Sequence, residues 1–379
     1  MVASWLAADD RIVIDAELND QPLKLAFDTG AGPLIIFRRV TEQRSIKVEP
    51  PPADTELKPG EVLLSKTEPV KLEIMGLTLT DVKVSVVDFE LPSAASLDID
   101  GVVGWASIRN NIWFLNGSTL KFSYLQKLPP ETAGWTKLRE LRKDDSSKLV
   151  LELPQTNSGQ PGYLGIDTGA DSGVRLAPEA WTKWRAAHRK QPSTIEAYSF
   201  PGIPLVVSEY SWADEIDLKG VILRGVPVTS MHPTEVLNWP PGTVAVLGLT
   251  ATKRLDTVLD GKNGFAYLHP LVTPPRPYNH NRLGAVFVPA DLKAGVDLIA
   301  HVAQDGPAAK AGVRQGDVLL KIDQLDVTPW RTKPGILPLR RFWEQAPGTK
   351  LRLTLRREGK IITTDVELRN LLGPEPKSP

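Results

Sequence analysis

The chain has 379 residues, which is too long for one compact core and suits two or three domains. Hydrophobic residues make up 41% and charged residues 24%, and Lys plus Arg equals Asp plus Glu at 45 each, which excludes the strongly basic class that binds nucleic acid or anionic membranes. The absence of cysteine rules out disulfides, cysteine-ligated zinc and a thiol nucleophile.

Short β strands are predicted through the first third of the chain. Residues 11–18 alternate imperfectly between apolar and polar types, and a turn at Asn19-Asp20 separates them from the apolar stretch 23–27. That stretch leads directly into the tripeptide Asp28-Thr29-Gly30. Further elements are predicted as strands at 72–79, 82–87 and 118–125, and as an apolar segment at 101–104 that enters a short helix at 105–108.

The same order of elements recurs in the middle of the chain. A strand at 148–153 is followed by the stretch 163–166, which leads into a second tripeptide, Asp167-Thr168-Gly169. The other matching elements are strands at 221–223, 226–228 and 264–268, an apolar segment at 244–248 and a helix at 250–255. A repeat of roughly 130 residues is too long for a solenoid unit and indicates domain duplication.

A proline-rich connector over 270–277 is predicted to be stiff and extended. A different module follows from about residue 282 to residue 372. In it, a strand at 296–302 precedes Pro307, which starts a short helix that Gly312 ends. The turn Gly316-Asp317 leads into the next strand, and the alternating residues at 350–355 are predicted to form one of the last strands.

The repeated Asp-Thr-Gly tripeptide carries the chemistry of the first two modules. Each copy ends an apolar strand and is followed by alanine, at Ala31 and Ala170. Two facing aspartates that share one proton can activate a water molecule and protonate a leaving amide nitrogen. The alternative is structural, because Asp, Thr and Gly are also common turn residues.

Residues 9–269 resemble a bilobal aspartic protease of the retropepsin and pepsin type. The resemblance rests on both Asp-Thr-Gly loops and on the apolar-apolar-Gly segments 102–104 and 246–248, each followed by a helix. It implies two homologous acid-protease β-barrel lobes in a mainly β fold, with Asp28 and Asp167 as the catalytic pair. It requires no cofactor and no metal ion.

The resemblance also implies roles for the loop residues. The hydroxyls of Thr29 and Thr168 would hydrogen-bond across the lobe interface, and Gly30 and Gly169 would let the backbone approach the carboxylates. In retropepsins the aspartate at the place of Asp171 binds the substrate backbone, and a turn-capping role is the alternative. The predicted substrate-binding residues are Ala31, Gly32, Ala170 and Asp171.

The chain departs from pepsins at the flap. Residues 41–100 contain no Tyr and no Trp, so the flap tyrosine of pepsins is missing. Residues 57–61 are a candidate first-half flap, and residues 197–202 are a candidate second flap, for which an ordinary loop is the alternative. The pair of lobes is also shorter than a pepsin, which favours a compact retropepsin-like pair fused in one chain.

The run from Gly306 to Ile322 resembles bacterial PDZ domains, through the pattern Gly-Pro-Ala-Ala-Lys-Ala-Gly-Val followed by Gly-Asp-Val-Leu. The resemblance implies peptide binding by strand addition and capture of a terminal carboxylate by backbone amides. The predicted carboxylate loop is Arg282-Leu283-Gly284-Ala285. The alternative is that the module docks on the protease lobes and binds no peptide, because edge strands are often covered within a chain.

These patterns predict four segments: a first lobe at 1–130, a second lobe at 131–270, a linker at 271–281 and a PDZ domain at 282–379. The predicted function is an aspartic endopeptidase that acts on a peptide or protein substrate, with a PDZ domain for peptide recognition. A catalytically silent peptide-binding scaffold is the alternative. We expect a monomer, no nucleic-acid partner and no metal site, since the five histidines lack metal-ligand spacing.

Localisation outside the cytoplasm is expected only from the resemblance to bacterial protease–PDZ proteins. No stretch reaches the roughly 18 apolar residues that a membrane helix needs, and the first residues as written do not form a signal peptide.

Overall fold

The computed structural model describes most of the chain. The described residues are 2–4, 11–51, 55, 63–88, 99–142, 147–154, 162–200, 203–272, 278–291, 295–333 and 335–373. Within them no helix is long and apolar enough to cross a membrane.

The chain folds into two compact units. The first unit comprises Met1–Ala177, Glu215–Val226 and Pro233–Pro275. The second comprises Pro178–Asp214, Pro227–His232 and Arg276–Pro379. Residues 178–214 and 227–232 are predicted from the sequence to belong to the second lobe, and they lie in the same unit as the C-terminal module. The predicted division into four segments stays a prediction.

The first third of the chain forms short strands, as the alternating sequence predicts. Its strands are β1 (Val2–Ser4), β2 (Val13–Leu18), β3 (Gln21–Asp28), β4 (Leu34–Phe37), β5 (Val48–Glu49), β6 (Ser65–Thr67), β7 (Val70–Ile74), β8 (Leu77–Val82), β9 (Ser85–Val87), β10 (Gly101–Gly104), β11 (Ile112–Asn116) and β12 (Lys121–Leu125). Its helices are α1 (Arg38–Gln43) and α2 (Trp105–Ile108), with a 3-10 helix at Pro130–Gly134.

A nine-stranded sheet carries the first Asp-Thr-Gly loop. Its strand order is β5-β6-β9-β4-β10-β3-β2-β7-β8. Strands β3 and β10 are parallel neighbours, with Asp28 opposite Gly104 at their carboxyl ends. A parallel pair needs a long connection, so two segments far apart in sequence end side by side at the loop.

The middle of the chain repeats this arrangement. Its strands are β13 (Thr136–Glu140), β14 (Val150–Leu153), β15 (Gly162–Asp167), β16 (Val174–Leu176), β17 (Ser193–Phe200), β18 (Ile203–Asp217), β19 (Ile222–Ser230), β20 (Thr243–Gly248), β21 (Leu255–Asp260) and β22 (Phe265–Pro270). Its helices are α3 (Pro178–Ala187), α4 (Pro233–Val236) and α5 (Leu249–Thr252). Strands β15 and β20 are parallel, with Asp167 opposite Gly248.

Strands from both halves join in one sheet inside the first unit, where they follow the order β1-β12-β11-β21-β22-β13-β14-β15-β20-β16. Strand β11 of the first half pairs with β21 of the second in antiparallel register, from Ile112 opposite Asp260 to Asn116 opposite Asp256. The equivalent strands of the two repeats are therefore partners in the sheet. This pairing fixes the halves of the first unit as one hydrogen-bonded body.

An aromatic cluster supports the end of β3. Phe27, which precedes Asp28, packs against Phe122 with ring centroids 4.3 Å apart. Trp113 stacks on Phe122 at 5.2 Å, and all three rings are almost completely buried. Each buried aromatic ring removes a large apolar area from water, so this core restrains the strand that carries Asp28.

The second unit contains α3, the hairpin of β17 with β18 and the C-terminal module. The module has strands β23 (Ala285–Val288), β24 (Leu298–Val302), β25 (Val318–Ile322), β26 (Leu325–Asp326), β27 (Lys350–Arg357) and β28 (Lys360–Glu367), with helices α6 (Pro307–Lys310) and α7 (Arg340–Trp343). The sheet order is β23-β24-β25-β27-β28, and β26 pairs with β25. Its core includes Phe287, Leu319, Leu353 and Trp343.

The prediction of a mainly β fold is confirmed, since strands predominate among the described residues and the helices are few and short.

Candidate active site

The first aspartate lies at the carboxyl end of β3. The backbone amides of Gly30 and Ala31 donate hydrogen bonds to Asp28 Oδ1, at 2.7 and 3.1 Å. These bonds hold the carboxyl group over its own loop. One oxygen of Asp28 is therefore fixed by the backbone, and its orientation follows from the loop conformation that the Asp-Thr-Gly sequence produces.

The second aspartate lies at the carboxyl end of β15. Its Oδ2 accepts a hydrogen bond from Nη2 of Arg175 at 2.5 Å, in an ion pair whose side chains are 17% and 6% exposed. Arg175 belongs to the short buried strand β16. The two aspartates therefore differ in their partners, because backbone amides hold Asp28 and a guanidinium holds Asp167.

The two carboxyl groups meet across the motif glycines. A Cβ atom placed on Gly30 would lie 2.5 Å from Oδ1 of Asp167, and one placed on Gly169 would overlap the carboxyl group of Asp28. Real Cβ atoms do not approach other atoms so closely, so both positions require glycine. Each loop thus lies against the aspartate of the other, and the structure brings Asp28 and Asp167 to one place.

The threonines of the two loops bond each other reciprocally. The amide of Thr29 donates to Oγ1 of Thr168 at 3.0 Å, and the amide of Thr168 donates to Oγ1 of Thr29 at 3.1 Å. Each hydroxyl in turn donates to a carbonyl of the opposite strand, Thr29 to Ile166 at 2.7 Å and Thr168 to Phe27 at 2.9 Å. Both side chains are buried, so these four bonds lock the loops together away from water.

The segment after β10 closes over the first loop. The amide of Gly104 donates to the carbonyl of Pro33 at 3.1 Å, and the amide of Trp105 donates to the carbonyl of Ala31 at 2.9 Å. In the second repeat the amide of Leu249 donates to the carbonyl of Ala170 at 2.7 Å. The apolar-apolar-Gly segments therefore brace the two loops in the same way.

The environment of Asp28 favours its protonated form. Burial, and then the negative charge of Asp167, raise the pKa of Asp28 to about 7, against the opposing amide of Gly30 and the cations Arg11 and Lys148. Desolvation disfavours a charged carboxylate, and a neighbouring like charge adds to the effect. Near neutral pH the pair can therefore hold one proton on Asp28.

Two cations lie near the pair, and no motif in the sequence marks them as functional groups. Lys148 donates to the carbonyl of Asn238 at 3.1 Å, and burial lowers its pKa against the attraction of Asp167 and Asp28. Arg11 donates to the carbonyl of Gly169 at 2.5 Å. Lys148 lies two residues before β14 (Val150–Leu153), and a charge at the edge of an apolar run gives only a weak signal in the sequence.

A second ion pair of Arg175 extends the site behind Asp167. Nη1 of Arg175 lies 2.6 Å from Oε1 of Glu235, and both side chains are 6% exposed. Glu235 lies in the short helix α4, sixty residues further along the chain. The one available signal was Arg175 itself, a charged residue between Val174 and Leu176 in a buried strand just after the second motif.

The residues predicted to bind substrate lie around the two loops. Gly32 is buried against Ser147, and Ala170 is buried, while Ala31 is partly exposed. Asp171 is exposed, and its carbonyl accepts a hydrogen bond from Thr250 Oγ1 at 2.6 Å. Their role in substrate binding stays a prediction.

Of the two candidate flaps, residues 57–61 lie outside the described residues. Residues 197–200 belong to β17, which pairs with β18 from Ser193 opposite Ser211 to Phe200 opposite Ile203. Residues 201–202 of the second candidate lie outside the described residues, and its function as a flap stays a prediction.

The predicted carboxylate loop precedes β23 and is largely buried. The amides of Leu283 and Gly284 donate to Oδ1 of Asn281, at 2.9 and 3.2 Å. Nη1 of Arg282 donates to the carbonyl of Glu344 at 2.6 Å. These donors already have partners within the chain, and the assignment of residues 282–285 to carboxylate capture stays a prediction.

The same asparagine connects the loop to the hairpin of β17 and β18. Nδ2 of Asn281 donates to the carbonyls of Ile195 and Ala285, both at 2.8 Å. Ile195 packs with Val286 and Ala303 in a small apolar cluster. Strand β17 therefore covers part of the side of β23, the edge strand of the PDZ sheet.

Two family models match parts of the chain. Residues 14–106 match the family described as aspartyl protease, and residues 281–368 match the family described as PDZ domain. The chain is also similar to the crystal structure of an aspartic proteinase from Irpex lacteus, with 11% identity and a TM-score of 0.46 over 72% of this chain and 97% of that one. No curated protein matches the chain. The chain therefore carries an aspartyl-protease-like part and a PDZ domain.

Proposed function

We propose that this protein is an aspartic endopeptidase, which hydrolyses peptide bonds with a water molecule activated between Asp28 and Asp167. The observation that carries the proposal is the meeting of these two carboxyl groups on loops locked by Thr29 and Thr168. The PDZ domain supports a peptide or protein as the substrate class, because PDZ domains bind extended peptides.

The proposed reaction assigns opposite roles to the two carboxyl groups. The ionised carboxylate of Asp167 takes a proton from the water, whose oxygen forms a bond to the carbonyl carbon of the substrate. Protonated Asp28 gives its proton to the carbonyl oxygen, which yields a neutral tetrahedral diol. Asp167 then passes its proton to the amide nitrogen as the carbon–nitrogen bond breaks. Asp28 recovers a proton from a diol hydroxyl, which restores the starting state.

The experiment compares the wild type with Asp28→Asn and Asp167→Asn. Each protein is incubated with a diverse peptide mixture from acid to mildly alkaline pH, and the products are sequenced. Each variant is expected to lose about 10²- to 10⁴-fold in rate or more, because each removes an acid–base group. Asp20→Asn is the matched control, since Asp20 is exposed and its backbone conformation suits asparagine.

Loss of cleavage in both dyad variants, with the control unchanged, would support the proposal. Cleavage that persists in either dyad variant would contradict it. If no form cleaves any peptide and a statine-type transition-state analogue also fails to bind, the binding-scaffold alternative would replace it, because such an analogue requires a competent pair.

A further inference from the structure

The ion pair of Arg175 with Asp167 is the feature that the proposed reaction does not by itself require. The guanidinium bridges two carboxylates, with Nη2 2.5 Å from Asp167 and Nη1 2.6 Å from Glu235. Its side chain is 6% exposed and projects from β16, the strand that pairs with β20 beside the second loop. A planar guanidinium with its two nitrogens fixed in this way has little rotational freedom.

A buried guanidinium stabilises the ionised form of a carboxylate that it contacts. The interaction is stronger here than at the surface, because little water remains to screen it. Glu235 contributes through its ion pair with Nη1 of Arg175 and by balancing the positive charge of Arg175. Removal of either partner would leave a buried charge without compensation, which proteins tolerate poorly.

Asp28 has a different environment. Its Oδ1 accepts two backbone amides, and its interactions with the cations Arg11 and Lys148 are weaker than the combined effects of burial and of Asp167. A single proton shared by the two aspartates would therefore favour Asp28. The charged groups that face the pair are Arg175 from β16, Glu235 from α4, Lys148 before β14 and Arg11 before β2.

We propose that Arg175, oriented by Glu235, is a positioning residue that keeps the negative charge of the dyad on Asp167 and leaves the shared proton on Asp28. This inference rests on the proposed function and assigns the base and the acid within it. The consequence is an asymmetric dyad, in which Asp167 is the water-activating carboxylate and Asp28 is the acid.

The test uses charge changes of opposite sign on the full-length protein. Arg175→Gln removes a positive charge from the dyad, so the acid limb of the pH–rate profile is expected to move upward by about 1–3 pH units. Glu235→Gln removes a negative charge, so the same limb is expected to move downward. Arg175→Lys keeps the charge and is expected to restore the limb most of the way to that of the wild type.

The matched control is Arg224→Gln, which removes an exposed ion pair with Glu215 in the same unit. Thermal unfolding of every variant checks that it is folded. A second readout follows the carboxyl carbons of Asp28 and Asp167 by carbon-13 NMR titration, with the two Asn variants used to assign the signals. This readout needs no turnover.

Opposite displacements of the acid limb in Arg175→Gln and Glu235→Gln, with recovery in Arg175→Lys, would support the inference. An acid limb that stays in place in Arg175→Gln, or an equal loss of rate in all three variants without displacement, would overturn it. If the wild type cleaves nothing, the proposed function fails separately. The carbon-13 titration then decides the inference. If the pH at which the dyad titrates is the same in Arg175→Gln as in the wild type, the inference is overturned, and if that pH is higher in Arg175→Gln, the inference is supported.

Discussion

The hydroxyl groups of Thr29 and Thr168 determine how rigidly the two aspartates are held. Each hydroxyl accepts an amide hydrogen from the other loop and donates to a strand carbonyl, and both groups are buried. A buried hydrogen bond contributes only about 0.5–1.5 kcal/mol net, but leaving its partner unsatisfied costs more. These residues therefore act on stability and on catalysis through the same contacts.

We expect Thr168→Val to lower the free energy of unfolding by about 2–5 kcal/mol, because it leaves the amide of Thr29 and the carbonyl of Phe27 buried without partners. Peptidase activity is expected to fall as well, since the carboxyl groups lose their fixed spacing. Urea unfolding and rate measurements check both effects. Thr168→Ser keeps the hydroxyl and is expected to lose only about 1 kcal/mol. Equal losses in the two variants would contradict the role given to the hydrogen bonds.

At the scale of elements, the packing of the end of β10 against the first loop depends on close backbone contact. Gly104 faces Asp28 across the parallel pair, and its amide bonds to Pro33. Its φ of −82° suits any residue, so the requirement for glycine here is one of space rather than of backbone conformation.

Gly104→Ala is expected to destabilise the protein by about 1–3 kcal/mol and to reduce activity, because the new Cβ would lie 2.5 Å from the carbonyl oxygens of Gly32 and Pro33. Gly134→Ala is the control. Nothing lies within 4 Å of a Cβ at that position, so the change is expected to be neutral or stabilising by up to about 1 kcal/mol. Chemical denaturation measures the unfolding free energy of both variants. Similar losses in the two would contradict a requirement for close backbone contact at Gly104.

The C-terminal module shows a second element-scale effect, since β17 lies beside β23 and Asn281 bonds the loop amides. Backbone amides that already have a buried acceptor gain little from a ligand carboxylate. The PDZ domain implies peptide binding. Because its loop amides already have an acceptor, we expect the terminal carboxylate of a peptide to contribute little to that binding.

We expect the full-length protein to bind a peptide with a hydrophobic, free C-terminus and its C-terminal amide with affinities within about twofold of each other, which is less than about 0.5 kcal/mol. Isothermal titration with the matched acid and amide peptides measures this ratio. A free acid that binds ten or more times as tightly would mean that Asn281 gives up the amides of Leu283 and Gly284 to the ligand.

For the whole molecule, the protonation of Asp28 links stability to pH. The pKa of Asp28 is raised from 3.8 to about 7 in the folded state, so the folded state binds this proton more tightly than the unfolded chain does. The resulting stabilisation is fully present below about pH 4 and is lost as the pH rises through about 7. Above that pH, the fold carries the unfavourable energy of a buried charge beside Asp167.

Asp28→Asn removes this charge and keeps an oxygen for the amides of Gly30 and Ala31. The free energy of unfolding of the variant minus that of the wild type is therefore expected to rise by about 1–4 kcal/mol from about pH 4 to about pH 8. Unfolding free energies of both proteins at these two pH values give the difference. A difference that is independent of pH would contradict the raised pKa.

The proton on Asp28 also sets the alkaline limit of the proposed activity, which is expected to decline above about pH 7.

Sequence patterns alone predicted the mainly β fold class and the PDZ domain, and they located the two Asp-Thr-Gly loops whose catalytic role is proposed above. They could do so because short motifs such as Asp28-Thr29-Gly30 record local backbone requirements, including a glycine where a carboxyl group comes close. Only the tertiary structure revealed the bridge of Arg175 to Glu235, the bond from Asn281 to the carbonyl of Ile195 and the difference between the two aspartates. These contacts join residues that are far apart along the chain, such as Asn281 and Ile195, which lie 86 positions apart, and no local pattern specifies which distant groups fold against one another.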